Sequence, residues 1–226
     1  MRNFRETDRS LMKRGFTMAE ILTVVAVMAI LMSIAAVGIQ KMDRGQATTT
    51  GLAISQAIFA EARSLAIGRG TRARVYIHGE MNDGDEDDQQ RYLRYLAVGV
   101  LEDGSDSDFE IVSRGTFLPN GVYFDEDASR EASNDVSDLG TFGREDVDLP
   151  GLGTNIRECF YYEFNGEGIC IDGSKTNADP GAAFVLVGGV RGSDQEAPRP
   201  IGNNRTGFVV WRNGQTAVYR SPDQIR

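Results

Sequence analysis

The chain lacks the residues from which most enzyme active sites are built. Its 226 residues include one histidine and two cysteines. A single histidine, His78, leaves no second imidazole for a proton relay. The sequence also has no Gly-x-Ser-x-Gly elbow and no Gly-rich phosphate loop between a strand and a helix. We therefore expect a protein that is not an enzyme and uses no cofactor, with His78 in a packing or surface role.

The charge balance is acidic and uneven. Aspartate and glutamate outnumber lysine and arginine by 33 to 24, which gives a formal net charge of −9. A general nucleic-acid binder needs clustered Lys and Arg to contact phosphates, so this composition argues against one. Residues 80–148 carry a net charge of −15, whereas residues 181–226 carry +3. The acidic excess therefore belongs to the middle of the chain.

Part of the acidic region has the spacing of a calcium loop. Asp83, Asp85 and Asp87 alternate along the sequence. However, Asp88 stands where an EF-hand requires glycine, and Arg94 stands where it requires a closing glutamate. Charge runs of this kind are usually solvated. We expect no metal site here, with an irregular calcium site as the alternative.

A basic segment followed by a long uncharged run marks the N-terminus. Residues 1–15 include five basic and two acidic residues, and the nineteen residues from Ile21 to Ile39 carry no charge. At ~1.5 Å per residue such a run forms a helix of about 28 Å, close to the ~30 Å hydrocarbon core of a bilayer. We predict that residues 16–39 span a membrane, with the basic end in the cytoplasm by the positive-inside rule.

Glu20 places a carboxylate at the edge of this run. An acidic residue in a membrane helix costs on the order of 2.5–3.5 kcal/mol at the bilayer centre and less near its ends. Such residues usually mark a functional site. We predict that Glu20 pairs with a cation.

Residues 15–20 read Gly-Phe-Thr-Met-Ala-Glu, and an apolar helix follows them. This pattern resembles the class III signal of type IV prepilins and type II secretion pseudopilins, which a membrane peptidase cuts after the glycine before it methylates the new amine. The resemblance implies cleavage between Gly15 and Phe16 and N-methylation of Phe16. Glu20 becomes the fifth residue of the mature chain, and its carboxylate pairs with the N-terminal ammonium of a neighbouring subunit and sets the register.

The same resemblance implies the partners and the location. The partners are the prepilin peptidase/methyltransferase, other pseudopilins or pilins, and the inner-membrane assembly platform. The chain would cross the bacterial inner membrane once, with a cytoplasmic N-terminus and a periplasmic C-terminal domain, and its mature form would lie in a pseudopilus.

Two simpler interpretations of the N-terminus remain open. One is an ordinary secretory signal with a small-residue cleavage site at residues 33–35. The other is an uncleaved membrane anchor. Neither accounts for Gly15 or Glu20.

Residues 40–70 are predicted to continue the helix outside the membrane. Ile54, Ile58, Ala62 and Leu65 recur at three- and four-residue spacing and form one apolar stripe. Phe59 and Ala66 widen this stripe, which we assign to core packing. Two glycines and three threonines between residues 45 and 51 are poor helix formers, so we expect a bend or local melting there.

The remainder, residues 71–226, is predicted to be one β-rich domain with acidic loops. Short runs rich in β-branched and aromatic residues alternate with turn residues. A helix followed by strands is the order of an α+β fold, here a long N-terminal helix packed on a mostly antiparallel sheet, as in type IV pilins. The predicted strands are residues 74–78, 92–101, 109–112, 121–124, 159–164, 183–187, 207–211 and 216–219.

Two later segments extend the resemblance. Residues 162–168 form a strand and turn, an apolar strand follows, and residues 205–210 close the pattern. This arrangement is similar to that of H-class minor pseudopilins and their minor-pilin relatives. The resemblance implies a minor pseudopilin of the type II secretion system, at or near the tip of the pseudopilus.

The two cysteines, Cys159 and Cys170, flank an apparent hairpin with Asn165-Gly166 near its turn. An oxidising periplasm would allow them to join. Zinc would need at least two more soft or imidazole ligands, and His78 is distant in sequence. We expect a disulfide, worth on the order of 2–3 kcal/mol, with free thiols as the alternative.

Two other functions remain open. The first is a minor pilin of a type IV pilus or competence machine that contacts DNA through arginines of the basic C-terminal part. The second is a membrane-tethered or secreted binding domain. The candidate DNA contacts are Arg199, Arg205, Arg212, Arg220 and Arg226.

Overall fold

The computed structural model describes residues 16–81, 85–135, 139–150, 156–173, 180–192 and 198–219, without the side chains of residues 34–44, 135, 202 and 203. The leader predicted at residues 1–15 lies outside these described residues. The chain divides into two compact units, residues 1–42 and 43–226.

The described residues form helices and strands in the order expected for an α+β fold. The helices are α1 (Met18–Arg69), α2 (Glu86–Arg91) and α3 (Glu126–Asp135). The strands are β1 (Ala73–His78), β2 (Tyr95–Leu101), β3 (Phe109–Ile111), β4 (Thr116–Phe117), β5 (Val122–Phe124), β6 (Gly143–Asp148), β7 (Ile156–Phe164), β8 (Cys170–Ile171), β9 (Gly181–Val190), β10 (Arg199–Trp211) and β11 (Thr216–Tyr219).

The first unit contains the N-terminal part of α1. Large apolar side chains from Phe16 to Met32 are exposed, with exposed fractions from 49% to 85%. Within the part of the chain that the structure describes, no helix has an apolar stretch long enough to cross a bilayer. The predicted span, residues 16–39, extends into residues 34–44, whose side chains lie outside that part.

The local melting expected between residues 45 and 51 does not occur, because α1 is helical throughout this segment. The hydroxyls of Thr48 and Thr49 donate to the carbonyl of Gly45 at 3.0 and 2.9 Å, so they do not compete with the helix for backbone donors. A Cβ at Gly51 would lie 3.0 Å from a methyl group of Val122. Gly51 therefore allows α1 to approach β5 closely.

The second unit contains two antiparallel sheets, which confirms the expectation of a mostly antiparallel β domain. Sheet A has the order β3-β2-β1-β7-β6, with β4 also paired to β2 and β8 to β7. Sheet B has the order β11-β10-β9-β5. The central pairing of β1 with β7 joins Val75 to Tyr162, residues far apart in sequence.

The main core lies between the inner faces of the two sheets and α1. Phe59 of α1 is 1% exposed. Its ring centroid lies 5.1 Å from that of Tyr162 in sheet A, and 5.2 and 5.0 Å from those of Phe184 and Phe208 in sheet B. Tyr162 also donates a hydrogen bond to the carbonyl of Ala183 at 2.9 Å. Through these contacts α1 packs against both sheets.

The buried stripe of α1 follows the predicted one in part, because Phe59 and Ala66 are buried as expected. Ala62 is buried as expected, but Ile54 is only half-buried and Ser55 is fully buried beside it. Ser55 donates to the carbonyl of Gly51 at 2.9 Å, so its hydroxyl enters the core already satisfied. The hydrophobic pattern alone could not indicate this because it treats serine as a surface residue.

Helix α3 covers the outer face of sheet B and was not predicted from the sequence. Ala128 and Ala132 pack there in a small cluster that includes Val185. The hydroxyls of Ser129 and Ser133 accept hydrogen bonds from the backbone N–H groups of β9, each at 2.9 Å. These serines supply partners where β5 ends and no longer pairs with β9.

The eight predicted strands are present with shifted ends, but others were missed. Strand β6 has the sequence Gly-Arg-Glu-Asp-Val-Asp, which lacks the apolar alternation of a half-buried strand. It pairs with β7 over six residue pairs. Tertiary pairing therefore overrides a low intrinsic β propensity in this segment.

We predict that Phe59→Ala lowers the free energy of unfolding by about 3–5 kcal/mol, because it removes a fully buried ring that contacts both sheets. Urea unfolding of the full chain in non-ionic detergent, followed by circular dichroism, measures this. Phe117→Ala is the matched control: its side chain is 43% exposed, and we expect a loss below about 1 kcal/mol. Equal losses in the two variants would contradict the central role of Phe59.

Candidate assembly site

Thr17 and Glu20 form a capping box at the start of α1. Glu20 Oε2 accepts hydrogen bonds from the backbone N–H and from the hydroxyl of Thr17, both at 3.1 Å. In return, the backbone N–H of Glu20 donates to Thr17 Oγ1 at 3.3 Å. This reciprocal pair satisfies backbone donors at a helix end and holds a negative charge where the helix dipole favours it.

The capping box lies directly after the predicted cleavage bond. Phe16 precedes Thr17 and is 81% exposed, whereas Gly15 lies outside the described residues. The sequence pattern Thr-x-x-Glu is a known signal for this cap. Sequence reasoning selected Glu20 as a site residue but missed its capping role. Its hydrogen-bond partners among residues 16–81 are neutral donors of Thr17 rather than a cation.

The disulfide expected between Cys159 and Cys170 is absent, because both cysteines are free and buried. Cys170 lies opposite Phe164 in the pairing of β7 with β8, five residues along β7 from Cys159. Five residues of strand span roughly 16 Å, and an odd separation places the two side chains on opposite faces of the sheet. A disulfide needs Cα atoms within about 7 Å. The hairpin was correctly inferred, but its register keeps the thiols apart.

The outer face of sheet A, opposite the main core, carries a buried charged network. Arg74 Nε lies 2.6 Å from Glu163 Oε2, and Arg74 Nη1 also contacts Glu145 Oε2. Tyr76 donates its hydroxyl to the same Glu145 oxygen at 2.9 Å. Arg72 Nη1 lies 3.1 Å from Glu163 Oε1 and completes the network.

Aromatic rings enclose the guanidinium of Arg74. Its central carbon lies 3.8 Å from the ring centroid of Phe109 and 4.0 Å from that of Tyr161. Burial alone would lower the pKa of Arg74, but Glu163 and Tyr76 raise it above its ordinary value. Burial also raises the pKa of Tyr76. Arg74 is therefore a permanent cation, and Tyr76 is a permanent donor to Glu145.

His78 lies further along the same face and joins α2 to the sheet. Its Nε2 lies 3.2 Å from Asp88 Oδ1, and Arg157 Nε donates to Asp88 Oδ2 at 2.7 Å. His78 and Asp88 are fully buried. Burial, together with nearby Arg91 and Arg157, lowers the pKa of His78 to about 4. Neutral His78 then donates from Nε2, and its Nδ1 has no hydrogen-bond partner among the described residues.

The other candidate site residues are not brought together. Among the described residues no three His, Cys, Asp or Glu side chains are placed to hold a metal ion, and Asp83 lies outside the described residues. Of the candidate DNA contacts, Arg205 Nε pairs with Asp125 Oδ2 at 2.9 Å. Arg199 begins β10 and Arg212 follows its last residue, Trp211. Because the ends of β10 pair with Val190 and Gly181 of β9, nine residue steps apart, these two arginines are roughly 30 Å apart at the rise of a strand. Arg220 and Arg226 lie outside the described residues.

Comparisons with known proteins give little further information. No family model and no curated protein matches the chain. Among solved structures, it is similar to two crystal structures of the type IV minor pilin FimU of Pseudomonas aeruginosa, in space groups P65 and P21. The identities are 11% and 10%, each with a TM-score of 0.38, covering 76% of this chain and 91% and 87% of those chains. A likeness at this level carries no argument about the fold or the function.

We predict that neither cysteine of the folded chain reacts with a thiol reagent at pH 8, because burial raises the pKa of both thiols to about 12. After unfolding in guanidinium without reductant, two thiols per chain should react. The absorbance of the product of a chromogenic disulfide reagent measures the number of reactive thiols in the folded and in the unfolded chain. Fewer than two thiols in the unfolded, unreduced chain would contradict the free-thiol state.

We predict that His78 makes stability fall as the pH decreases from about 6.5 to 4. The unfolded state binds the proton first, because the pKa of His78 is about 4 when folded and about 6.5 when unfolded. Unfolding therefore becomes easier by on the order of 3 kcal/mol across this window. Urea unfolding of the wild type and of His78→Gln at pH 7 and pH 4 separates this loss from that of the carboxylates. Equal losses of unfolding free energy in the wild type and in His78→Gln would contradict the role of His78.

Proposed function

We propose that the chain is a structural subunit of a type IV pilin-like filament, and specifically a minor pseudopilin of the type II secretion system. The observation that carries this proposal is the position of Glu20. Its carboxylate lies in the first turn of a 52-residue helix. Two donors of Thr17 hold it there. Thr17 follows Phe16, the first residue after the predicted cleavage bond. The class III signal and the α+β order support the same assignment.

Processing would supply the cation that Glu20 lacks among the described residues. Cleavage after Gly15 by the prepilin peptidase leaves a positively charged amine on Phe16, and N-methylation preserves this charge. The two Thr17 donors already orient Glu20 Oε2. The carboxylate of one subunit can then bind the ammonium of the next with little further ordering. In a medium of low dielectric such a pair fixes the stagger between neighbouring helices.

The apolar N-terminal part of the helix determines where assembly takes place. The large apolar side chains between Ile21 and Met32 are exposed in the single chain. Contiguous apolar surface of this size requires a bilayer or other helices to cover it. We assign residues 16–39 to the inner membrane before assembly and to the helical core of the filament afterwards. The inner-membrane platform transfers the subunit between the two, and the domain of residues 71–226 lies in the periplasm.

The role is structural and not catalytic. The buried polar groups of the domain pair mainly with one another: Arg74 with Glu163 and His78 with Asp88. Such pairs fix the fold. We expect the work of the chain to be association with other pseudopilins or pilins.

We predict that Glu20→Gln and Glu20→Ala are both cleaved after Gly15 but enter filaments at least tenfold less than the wild type, because neither provides a charge for the neighbouring amine. N-terminal sequencing of the mature chain reports cleavage, and immunoblotting of filaments isolated from the periplasm reports incorporation. Glu61→Gln is the matched control, since Glu61 is an exposed carboxylate on the same helix.

Normal incorporation of both Glu20 variants would refute the pairing. Native chains that retain residues 1–15 in a host with an active prepilin peptidase would refute the assignment to this family. Deletion of the gene distinguishes a type II secretion system from a type IV pilus or competence machine. We expect loss of protein secretion with piliation and DNA uptake unchanged, and the reverse result would favour a minor pilin.

A further inference from the structure

Strand β11 forms a free edge of sheet B, because β10 is its only partner among the described strands. Its sequence is Thr-Ala-Val-Tyr, which contains neither a charged residue nor a proline. By contrast β6, at one edge of sheet A, has four charged residues among six. Proteins usually protect a strand edge with charge, proline or a covering segment, because its unpaired backbone groups can accept another strand. The composition of β11 gives it no such protection.

The register of the hairpin determines which backbone groups of β11 face this edge. The backbone N–H of Trp211 donates to the carbonyl of Gln215 at 2.9 Å, so these two residues are a hydrogen-bonded pair. Hydrogen-bonded and non-hydrogen-bonded pairs alternate along antiparallel strands. Thr216 and Val218 therefore occupy the non-hydrogen-bonded positions opposite β10. Their N–H and C=O groups point away from β10, toward the free edge.

The side chains of Thr216 and Val218 lie on the face of sheet B that carries the main core. Their partners on β10, Val210 and Phe208, belong to that core. The hydroxyl oxygen of Thr216 accepts a hydrogen bond from the side-chain amide of Gln56 in α1 at 3.1 Å, and Val218 is 46% exposed. A strand added at this edge would therefore lie beside α1.

A groove of about 640 Å³ lies between α1 and the turn that joins β10 to β11. Ala60, Ser64 and Ile67 line it from the helix, and Gly214 and Thr216 line it from the hairpin. Ala60 is exposed, and Ile67 is 48% exposed. An edge strand beside a helix-lined groove is the arrangement that binds extended segments, because the edge pairs with the backbone and the groove receives alternate side chains.

Arg63 is the only charged residue that lines this groove. Its Nε donates to the carbonyl of Gly168 at 3.1 Å, and its Nη2 donates to the carbonyl of Asn213 at 2.8 Å. These neutral acceptors orient the guanidinium without neutralising it, and no carboxylate among the described residues forms an ion pair with it. Its Nη1 makes no hydrogen bond with a described residue. An oriented guanidinium of this kind is complementary to a carboxylate.

We propose that β11 and the adjoining groove bind an extended segment of another protein, which adds to sheet B as an antiparallel strand. The backbone groups of Thr216 and Val218 pair with the segment, and its inward apolar side chains contact Ala60 and Ile67. The segment continues past Thr216 toward the turn, where an aspartate or glutamate next to its paired part meets Arg63. The site lies in the β-rich domain and does not rest on the filament assignment.

The test measures binding of a fluorescein-labelled, C-terminally amidated peptide, Val-Thr-Val-Thr-Val-Asp, to the full chain in non-ionic detergent by fluorescence anisotropy. We expect saturable binding. The same peptide with methylated backbone nitrogens cannot donate strand hydrogen bonds and should bind at least tenfold more weakly. A peptide that ends in asparagine should also bind more weakly to the wild type, and Arg63→Gln should remove the difference between the aspartate and asparagine peptides.

Val218→Pro removes the outward N–H but none of the hydrogen bonds between β11 and β10, so it should weaken binding at least tenfold. Val218→Thr is the matched control, because it keeps the N–H and a β-branched side chain, and its affinity should stay within twofold of the wild type. Urea unfolding of both variants reports whether the domain stays folded. The methylated peptide tests strand pairing on the wild type and does not depend on either variant.

Equal weakening by the two Val218 variants, undiminished binding of the methylated peptide, or no saturable binding to the wild type would overturn the proposal. Binding that appears only after deletion of residues 220–226 would also overturn it and make the C-terminal segment of the chain the occupant. Self-association in sedimentation velocity that only Val218→Pro loses, without peptide binding, would overturn it in favour of a second copy.

Discussion

The insertion of Phe59 between two sheets is the contact on which the domain depends. One ring of α1 lies within about 5 Å of rings from both sheets, so the helix is part of the core and not an addition to its surface. Aromatic rings suit this position because each buries a large area and forms favourable tilted contacts with several others. The close approach of α1 at Gly51 and the small residues Ala62 and Ala66 follow from the same requirement.

The outward-facing residues of the two sheets are buried in different ways. On sheet B the outward residues are small and apolar, and α3 covers them while its serines complete the hydrogen bonds of β9. On sheet A the outward residues include Arg74 and Glu163, which are almost fully buried and need each other. Removing one partner of a buried ion pair leaves an unpaired charge, which costs about 3–5 kcal/mol. The pairing fixes this face, and Arg74 also contacts Glu145 Oε2 together with Tyr76.

The strands with apolar and β-branched residues were predictable because their patterns are local. Strand β6 was not, since four of its six residues are charged and its assignment depends on β7. Helix α3 was missed because its polar composition gives no apolar stripe, and it packs through alanine and serine instead. Ser55 shows the same limit inside α1, where a satisfied hydroxyl occupies a core position. The capping box of Thr17 and Glu20 had a sequence signal that was available and was not used.

The sequence by itself determined the N-terminal signal, the prediction of one long helix before the strands, and the acidic character of the middle of the chain, because these are properties of neighbouring residues. Only the tertiary structure decided that Cys159 and Cys170 lie on opposite faces, that Arg74 meets Glu163 and Glu145, and that His78 is buried against Asp88. The physical reason is that these contacts depend on strand register between segments distant in sequence. A shift of one residue in register exchanges the two faces of a strand, and local patterns carry no information about which segment becomes the partner.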